Sequence, residues 1–240
     1  MIKNFINEQT VFEVNPEYEL SVIELEPERA RIAVIDNFYK NPDLVRDLAL
    51  AIPPSVNERI LNNLPYGLDS GRINAFYIMD HLGSTYDEII KKVWPEIHQQ
   101  YEPDYFLESF KRATFMVNVM TSTNLPPRLP HVDSADRRFF ASAVYLNTPD
   151  ECAGGTAFYT FDGKLYASDL SVSAKTLDIG GTQPSDHFTV DDCGDWKRVG
   201  MAEMKYNRMI IYSQNVFHSA YIKPDMFVDG VYRLNQQFFI

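Results

Sequence analysis

The sequence predicts an α+β, mainly β domain in which N-terminal helices support a β core. Short apolar runs separated by turn residues dominate from about residue 105 onward, and such spacing is typical of a sandwich or barrel. Residues 1–104 instead carry two stretches with helical periodicity, and helices that precede strands favour packing on one face of the sheet. The length of 240 residues suits a single domain, 1–240, with residues 105–240 as its core.

The N-terminal part begins with two predicted strands and a helix. Residues 18–23 and 31–35 contain apolar and β-branched residues in the loose alternation of strands. The helix begins at Asn41-Pro42-Asp43, because Asn is a good N-cap and Pro suits the first helical position. Pro53-Pro54 ends it, since proline cannot donate the backbone hydrogen bond that a helix interior needs.

A second helix is predicted from Thr85 onward, where Thr85 and Glu88 have the spacing of a capping box. Its apolar stripe consists of Ile89, Ile90, Val93, Trp94 and Ile97. Pro95 lies within this stripe and is expected to bend the helix.

The predicted core strands are residues 110–121, 139–146, 156–161, 208–212 and 231–240. Between the third and the fourth of these strands, the segment from about 162 to 205 is irregular and rich in Asp, Gly and Ser. Long irregular connections often act as lids or binding loops. A lid and a solvated excursion with one hairpin are both compatible with this composition.

The net charge of −11 argues against a nucleic-acid binder, because contacts with phosphates need clustered Lys and Arg. No apolar run is long enough for a membrane span, and residues 1–10 are too polar for a signal peptide. Cys152 and Cys193 lack the CxxC spacing of a zinc site and suggest no disulfide framework, which fits a reducing compartment. We therefore expect a cytoplasmic protein without nucleic-acid or membrane partners.

Motifs of several common enzyme classes are absent from the sequence. There is no Gly-x-Ser-x-Gly elbow of the kind that carries a hydrolase nucleophile. Neither Gly154-Gly155 nor Gly180-Gly181 has the spacing of a phosphate-binding or dinucleotide-binding loop.

His131-Val132-Asp133 is the segment that points to chemistry. Side chains two residues apart on an extended segment point to the same side, so this imidazole and this carboxylate can bind one metal ion. A third candidate ligand, His218, lies much further along the chain, after the apolar run of residues 209–212. Two His and one carboxylate form the facial triad of non-haem Fe(II) oxygenases, which leaves coordination positions open.

The C-terminal half of the chain resembles the 2-oxoglutarate/Fe(II)-dependent dioxygenase superfamily, most closely its prolyl-hydroxylase-like branch. The residues that carry the resemblance are His131-x-Asp133, Ala143-Val144-Tyr145-Leu146-Asn147, Gly154-Gly155-Thr156-Ala157-Phe158, His218 and Arg233. The resemblance implies a double-stranded β-helix (a cupin-like jelly roll), with the N-terminal helices packed on its larger sheet. It also implies that Gly154-Gly155-Thr156 forms a tight turn into the next core strand.

The same resemblance implies roles for individual residues. His131, Asp133 and His218 bind Fe(II) and are the catalytic residues of the centre. Arg233 holds the distal carboxylate of 2-oxoglutarate, and Tyr145 donates its hydroxyl to that carboxylate.

Two departures from the family pattern concern the cosubstrate site. Arg233 follows His218 at a longer interval than is usual, which an enlarged hairpin with the turn dipeptide Asp229-Gly230 would absorb. Asn235 stands where the family often has Ser or Thr, and its amide can donate a hydrogen bond from the same strand face. Asn118 interrupts an apolar strand, and it either contacts the cosubstrate or satisfies a backbone group.

The implied function is hydroxylation of an amino-acid, peptidyl or small-molecule substrate with Fe(II), 2-oxoglutarate and O2, yielding succinate and CO2. Two alternatives stay open: a cupin-like metal enzyme that does not use 2-oxoglutarate, and a non-catalytic jelly-roll binding protein. His187 is the rival metal ligand, and a homodimer is compatible with the enlarged loops. Arg128, Arg137 and Arg138 flank the metal motif and either contact an anionic substrate or form a solvated rim.

Overall fold

The computed structural model of the protein describes residues 8–51, 70–75, 80–106, 113–118, 130–167, 191–192, 195–223 and 225–240. The helices are α1 (Glu8–Val11), α2 (Pro42–Ala51), α3 (Asp80–Val93) and α4 (Pro95–His98), with a 3₁₀ turn at Pro149–Glu151. The strands are β1 (Glu19–Leu25), β2 (Ala30–Asp36), β3 (Ser70–Ala75), β4 (Ala113–Asn118), β5 (Phe140–Tyr145), β6 (Gly155–Phe161), β7 (Trp196–Glu203), β8 (Met209–Ser213), β9 (His218–Tyr221) and β10 (Arg233–Phe239). Within these residues, none of the helices is long and apolar enough to cross a lipid bilayer.

The described strands form two antiparallel sheets, so the protein has a mixed α/β structure with few helices. The seven strands of the larger sheet follow the order β1-β2-β8-β5-β10-β4-β3, and the smaller sheet has the order β7-β6-β9. Strands far apart in the sequence are therefore neighbours: β8 lies between β2 and β5, and β10 lies between β5 and β4. The double-stranded β-helix stays a prediction, because these pairings define two sheets and not a closed jelly roll.

Helices α2 and α3 pack against the larger sheet, as predicted. Val45 of α2 and Ile90 of α3 share one buried cluster with Val144 of β5. Trp94, which follows α3, packs against Phe140 with ring centroids 4.9 Å apart. Burying one large apolar side chain of this kind contributes about 1.5–3 kcal/mol. The helices thus cover one face of the sheet and leave the other face to the smaller sheet.

A second buried cluster lies between the two sheets. On β5, Ala143 and Tyr145 belong to this inner cluster, whereas the alternate residue Val144 faces the helices. Phe158 of β6 joins it from the smaller sheet, with its ring 5.3 Å from that of Tyr212 on β8. Inward-facing positions of β5, β6 and β8 therefore line a common interior.

The second helix differs from its prediction at both ends. It begins at Asp80, so the predicted start at Thr85 is wrong. Thr85 lies inside α3 and cannot form a capping box there, because the N-cap residue must have non-helical backbone angles. Pro95 also does not bend a continuous helix, because α3 ends at Val93 and Pro95 is the first residue of a separate helix, α4. At that position the missing N–H of proline costs nothing.

Three strands were not predicted: β3, β7 and β9. Strand β7 lies inside the segment that was expected to be irregular, and its middle residues are exposed or half-buried, so its sequence lacks a clear alternation. Strand β9 has only four residues, which is too short for a periodic pattern. Residues 168–190 and 193–194 lie outside the described residues, so the prediction of a lid is not tested there.

Two glycines fix the turn that leads into β6. Gly154 has a φ of +64° and Gly155 a φ of +154°. A Cβ at Gly154 would lie 2.0 Å from the carbonyl oxygen of Tyr221, and one at Gly155 would lie 2.1 Å from that of Ala202. Only glycine allows this backbone approach, which seats β6 between β7 and β9 and fixes the position of Thr156.

An ion-pair cluster ties β2 to the residues that precede β8. Arg208 donates to the Asp36 carboxylate from Nε at 2.6 Å and from Nη2 at 2.9 Å. Lys205 Nζ donates a further hydrogen bond to Asp36 at 2.8 Å. The hydrogen bond from Arg208 outweighs the effect of burial and lowers the pKa of Asp36 from its usual value of 3.8.

Replacing Asp36 with Asn is expected to lower the free energy of unfolding at neutral pH by about 1–3 kcal/mol, because it removes hydrogen bonds between charged groups. Since folding lowers the pKa of Asp36, its stabilising contribution is present above the unfolded value of 3.8 and is lost as the pH falls through the folded value. Urea titrations of wild type and Asp36→Asn at a series of pH values from neutral to strongly acidic should therefore converge at the acid end. A difference that stays constant across the series would contradict this assignment.

Candidate metal centre

The two predicted histidine ligands face each other across a two-residue β-bridge. The backbone N–H of His131 donates to the carbonyl of His218 at 2.9 Å, and the N–H of His218 donates back at 2.9 Å. This reciprocal pairing places the side chains on the same side, with ring centroids 4.6 Å apart. Residues far apart in the sequence are thus fixed as direct neighbours.

Asp133 completes the group. Its backbone N–H donates to the carbonyl of Gln214 at 2.9 Å, which fixes the segment that carries the carboxylate. The carboxylate lies 3.6 Å from Nε2 of His131 and 3.3 Å from Nε2 of His218. All three ligand atoms lie within 4.8 Å of one another. Adjacent ligands of an octahedral ion with bonds of about 2.1 Å are separated by roughly 3 Å, so a metal ion fits this group with small movements.

The orientation of His218 is set by its backbone neighbour. Nδ1 lies 2.9 Å from the carbonyl oxygen of Val216, and since a carbonyl can only accept, Nδ1 carries the proton. The lone pair of the neutral ring is then on Nε2, the atom that faces Asp133. The Tyr212 ring packs against the imidazole with centroids 4.7 Å apart. His218 is thus held in the tautomer and position that a metal ligand needs.

The centre opens toward solvent on one side. The side chain of His131 is 50% exposed and that of Asp133 22%, whereas that of His218 is only 6% exposed. Val132, between the first two ligands, is buried and packs in a cluster with Phe217. The alternation of the extended segment thus anchors Val132 inward and leaves its neighbours accessible to a ligand.

Arg233, the predicted carboxylate anchor, is buried at the start of β10. It is 3% exposed, and its Nη2 donates one long hydrogen bond to the carbonyl of Gly155 at 3.4 Å. Its Nε has no hydrogen-bond partner among the described residues. Burial lowers the pKa of Arg233 from its ordinary value, while Tyr145 and Tyr212 act in the opposite direction. The guanidinium therefore lacks a carboxylate partner in the part of the chain that the structure describes.

Tyr145 lies beside this guanidinium. Its ring centroid is 5.6 Å from Cζ of Arg233, and its hydroxyl is 2.7 Å from Oγ1 of Thr156 on the smaller sheet. Burial raises the pKa of the Tyr145 hydroxyl, and the nearby Arg233 charge opposes this rise. The hydroxyl thus stays protonated at neutral pH and bridges the two sheets next to Arg233.

The two predicted asparagines differ in what the structure describes. Asn235 is fully buried on β10 opposite Tyr145, and neither Oδ1 nor Nδ2 has a hydrogen-bond partner among the described residues. A buried primary amide without partners is costly, which indicates that a bound molecule or water satisfies it. Asn118 lies directly opposite Arg233 in the backbone register between β4 and β10. His187 lies outside the described residues.

Tyr212 contacts the candidate ligand His218 and is close enough to Arg233 for their charges to interact. Burial raises the pKa of its hydroxyl well above the ordinary value, Asp133 and Tyr145 raise it further, and Arg233 lowers it. The pKa of the Tyr212 hydroxyl is therefore affected both by the carboxylate of Asp133 and by the guanidinium of Arg233. Tyr212 also contacts His218, so the three candidate ligands and Arg233 share one interior between the two sheets.

Sequence reasoning missed three residues of this arrangement: Thr156, Tyr212 and Asn215. Thr156 was noted only as part of a turn and of the strand that follows it, although it is the direct partner of Tyr145. Tyr212 was interpreted only as part of an apolar strand. Asn215 is 1% exposed, and its Nδ2 donates to the carbonyls of Ala135 at 2.6 Å and Ala167 at 3.1 Å. An Asn between the predicted strand of residues 208–212 and the candidate ligand His218 was the one sequence signal that could have identified Asn215.

Solved structures that are similar to the chain share little sequence with it. An N-substituted L-amino acid dioxygenase from Burkholderia ambifaria AMMD is 12% identical, with 88% of this chain and 82% of that chain covered and a TM-score of 0.43. HygX from Streptomyces hygroscopicus, with nickel and 2-oxoglutarate bound, is 9% identical, with coverages of 87% and 81% and a TM-score of 0.44. SnoN, a non-heme alpha ketoglutarate dependent epimerase from nogalamycin biosynthesis, is 14% identical, with coverages of 88% and 78% and a TM-score of 0.40. No curated protein matches the chain.

A sequence model of one protein family matches residues 87–231, which is more than half of the chain. The matched range includes His131, Asp133 and His218 and ends shortly before Arg233. The protein therefore belongs to DUF6445, a family of unknown function.

Proposed function

We propose that this protein is an Fe(II)- and 2-oxoglutarate-dependent oxygenase. The observation that carries the proposal is the combination of two features in one interior. Three candidate metal ligands lie at the accessible end, and Arg233 is buried without a carboxylate partner among the described residues. A metal enzyme without an anionic cosubstrate has no use for the second feature, because a buried unpaired guanidinium destabilises the fold.

The donor set supports iron as the metal. Two imidazoles and one carboxylate are the facial triad of non-haem Fe(II) oxygenases, and three octahedral positions stay open for the cosubstrate and O2. His131, Asp133 and His218 would hold the ion. A structural zinc site, in contrast, is closed by four protein ligands, and the group described here has three.

The buried guanidinium supports a dicarboxylate as the cosubstrate. Arginine meets a carboxylate bidentately with its planar fork and keeps its charge when buried. With Fe(II), Asp133, the 2-oxoglutarate dianion and Arg233 together, the formal charges of the site cancel. A filled site of zero net charge avoids much of the desolvation penalty that an unpaired arginine causes. Tyr145 and Asn235 would add neutral hydrogen bonds to the same carboxylate.

When bound, iron, 2-oxoglutarate and O2 supply oxidative decarboxylation of the cosubstrate coupled to oxidation of a substrate C–H bond. The residues of this chain would bind and orient the metal and the cosubstrate, and they would exclude water from the centre. The carbonyl of Val216 keeps the Nδ1 proton of His218 in place, so Nε2 stays available as a ligand. Tyr212 and Phe158 close the inner side of the centre against solvent, since both are buried and in ring contact.

We also propose that the reaction is a hydroxylation of an amino-acid, peptidyl or small-molecule substrate, as in the prolyl-hydroxylase-like branch. The position of Tyr145 beside Arg233 supports this branch, because the resemblance assigns both residues to the same carboxylate. The exposure of His131 gives a substrate access to the metal from the solvent side. A single domain, a cytoplasmic location and a homodimer stay predictions from the sequence.

An anaerobic titration tests the proposed function without knowledge of the substrate. Metal-free protein receives Fe(II) and then 2-oxoglutarate while the visible spectrum is recorded. We expect a metal-to-ligand charge-transfer band that requires both components, because the band would form only when iron and the 2-oxo acid are bound together at the site. The band should be absent in His131→Ala.

The other outcomes separate the alternatives. Metal binding without the band would favour a cupin-like metal enzyme that does not use 2-oxoglutarate. No metal binding at all would leave a non-catalytic jelly-roll binding protein.

A further inference from the structure

A cleft of about 360 Å³ forms where five parts of the chain meet: the turn between β1 and β2, the junction of α3 and α4, the loop after Asp133, the segment of Tyr166, and the end of β8 at Ser213. Four of the chain's twelve arginines line it: Arg29, Arg31, Arg137 and Arg138. This concentration is unexpected in a protein with a net charge of −11. None of these arginines belongs to the metal centre or to the cosubstrate site.

Three of the four arginines have carboxylate partners. The ion pairs are Arg29–Glu24, Arg31–Glu96 and Arg138–Asp136. Arg137, in contrast, has no carboxylate partner among the described residues. It is therefore the arginine of the cleft that is available to an anion from solution.

Arg137 is held in place by an aromatic ring. Its Cζ lies 3.8 Å from the ring centroid of Tyr166, a stacking distance that uses one face of the guanidinium and leaves its N–H edges for acceptors. Glu28 also lines the cleft, but its Oε2 accepts hydrogen bonds from the backbone N–H groups of Leu165 at 2.6 Å and Tyr166 at 3.3 Å. Glu28 thus fixes the ring under Arg137, and its charge is engaged by the backbone.

The backbone around this stack is also fixed. The hydroxyl of Ser213 donates to the carbonyl of Arg137 at 3.0 Å. The side-chain amide of Asn215 donates to the carbonyls of Ala135 and Ala167, so one buried residue ties the loop of Arg137 to the segment of Tyr166. A site built on such supports needs little ordering when a ligand binds, and this favours affinity.

The remaining wall of the cleft is apolar and aromatic. Trp94 and Ile97 line it together with Tyr166. The volume is at the lower end of the range for small-molecule sites, about 300–1,000 Å³. These dimensions suit a compact ligand with one charged group and one planar or apolar part.

We propose that this cleft is a binding site for a small organic anion, in which a carboxylate or phosphate group meets Arg137 and an apolar body lies against Trp94, Ile97 and Tyr166. The site is separate from the three metal ligands and from Arg233. It does not depend on the proposed oxygenase activity, because its lining includes none of the three candidate metal ligands and not Arg233.

Calorimetric titration of the metal-free, full-length protein tests this site. The probes are phenyl phosphate and benzoate, with inorganic phosphate as a test of charge alone and phenol as a neutral control. We expect at least one of the two aryl anions to bind, and Arg137→Gln to weaken its binding by roughly tenfold or more, since a charge-assisted hydrogen bond is lost. The matched control is Arg198→Gln, which removes an arginine stacked over Tyr221 at 4.8 Å outside the cleft and should leave binding unchanged.

Each other result is also decisive. No binding of either aryl anion, or equal weakening by Arg137→Gln and Arg198→Gln, would overturn the proposal. So would phenol or inorganic phosphate binding as tightly as the aryl anions, because the site needs both charge and apolar contact. Binding that survives Arg137→Gln and disappears in Arg233→Met would place the anion at the cosubstrate site. Because no iron or 2-oxoglutarate is present, these failures leave the proposed function untouched.

Discussion

Replacing His218 with Ala is expected to abolish Fe(II)-dependent turnover of 2-oxoglutarate, with a loss of more than about 100-fold in iron affinity. Residues that merely orient a metal ligand already account for about 10–100-fold in metal affinity or activity, so loss of a ligand has a larger effect. His218 is the most buried of the three ligands, and its ring is fixed by Val216 and Tyr212. Water cannot replace it in the same orientation. Iron binding by calorimetry and succinate formation are the measurements.

The control for this prediction is a histidine–aspartate pair that resembles the site but lies elsewhere. His98 contacts the carboxylate of Asp87 at 2.7 Å between α4 and α3, away from the ligands. His98→Gln should keep iron affinity and turnover, even if it lowers the melting temperature. Undiminished succinate formation by His218→Ala would sink the assignment of the metal centre. A similar loss in both variants would show that the effect comes from general destabilisation.

The grouping of the three candidate ligands could be predicted in part from the sequence, because some of their geometry is local. His131 and Asp133 are two residues apart on an extended segment, and this spacing alone places them on one side. The position of His218 is not local, since it depends on a two-residue bridge in which each backbone N–H donates to the other carbonyl. Strand β9 is too short to show a pattern. His218 was therefore a candidate only as a histidine that follows the apolar run of residues 209–212, and the resemblance to a known family supported it.

The residues that were missed act across the two sheets. Thr156 contacts the Tyr145 hydroxyl from the smaller sheet, and Tyr212 packs on His218 from the larger one. No periodicity within one strand reveals a partner on another sheet, because that contact depends on how the sheets pack. The start of α3 was misplaced for a simpler reason. A Thr-x-x-Glu pattern also occurs within helices, and Thr85 is an example.

Replacing Arg233 with Met is expected to raise the apparent KM for 2-oxoglutarate by a factor on the order of 30 to several thousand. Loss of one partner of a buried, charge-assisted pair costs about 2–5 kcal/mol. The maximal rate should change by a smaller factor than the apparent KM for 2-oxoglutarate, because Arg233 would hold the cosubstrate and would not bind the metal. Succinate formation as a function of 2-oxoglutarate concentration, at saturating Fe(II), measures this effect. Unchanged dependence would favour the cupin-like alternative.

The same substitution, Arg233→Met, should impair the use of 2-oxoglutarate but should not lower the stability of the protein. Arg233 is 3% exposed and has no carboxylate partner among the described residues, so without a bound anion the burial of its charge opposes folding. Replacing even a buried ion pair by apolar side chains of similar volume is often neutral or stabilising by about 1–4 kcal/mol, and an unpaired buried charge has no partner to lose. We therefore expect the melting temperature of ligand-free Arg233→Met to be equal to or above that of wild type. The rise in melting temperature that 2-oxoglutarate causes in wild type should disappear in the variant.

Arg208 provides the matched control, because it is a partly buried arginine whose charge is paired. Its guanidinium binds Asp36 through two hydrogen bonds, and it raises stability instead of binding a ligand. Arg208→Met should therefore lower the melting temperature and leave the dependence on 2-oxoglutarate unchanged at temperatures where it is folded. The opposite signs in the two variants separate a binding arginine from a structural one. Arg208→Met is expected to melt well below wild type. If ligand-free Arg233→Met does so too, then Arg233 has a stabilising partner within the protein itself and does not serve to bind a dicarboxylate.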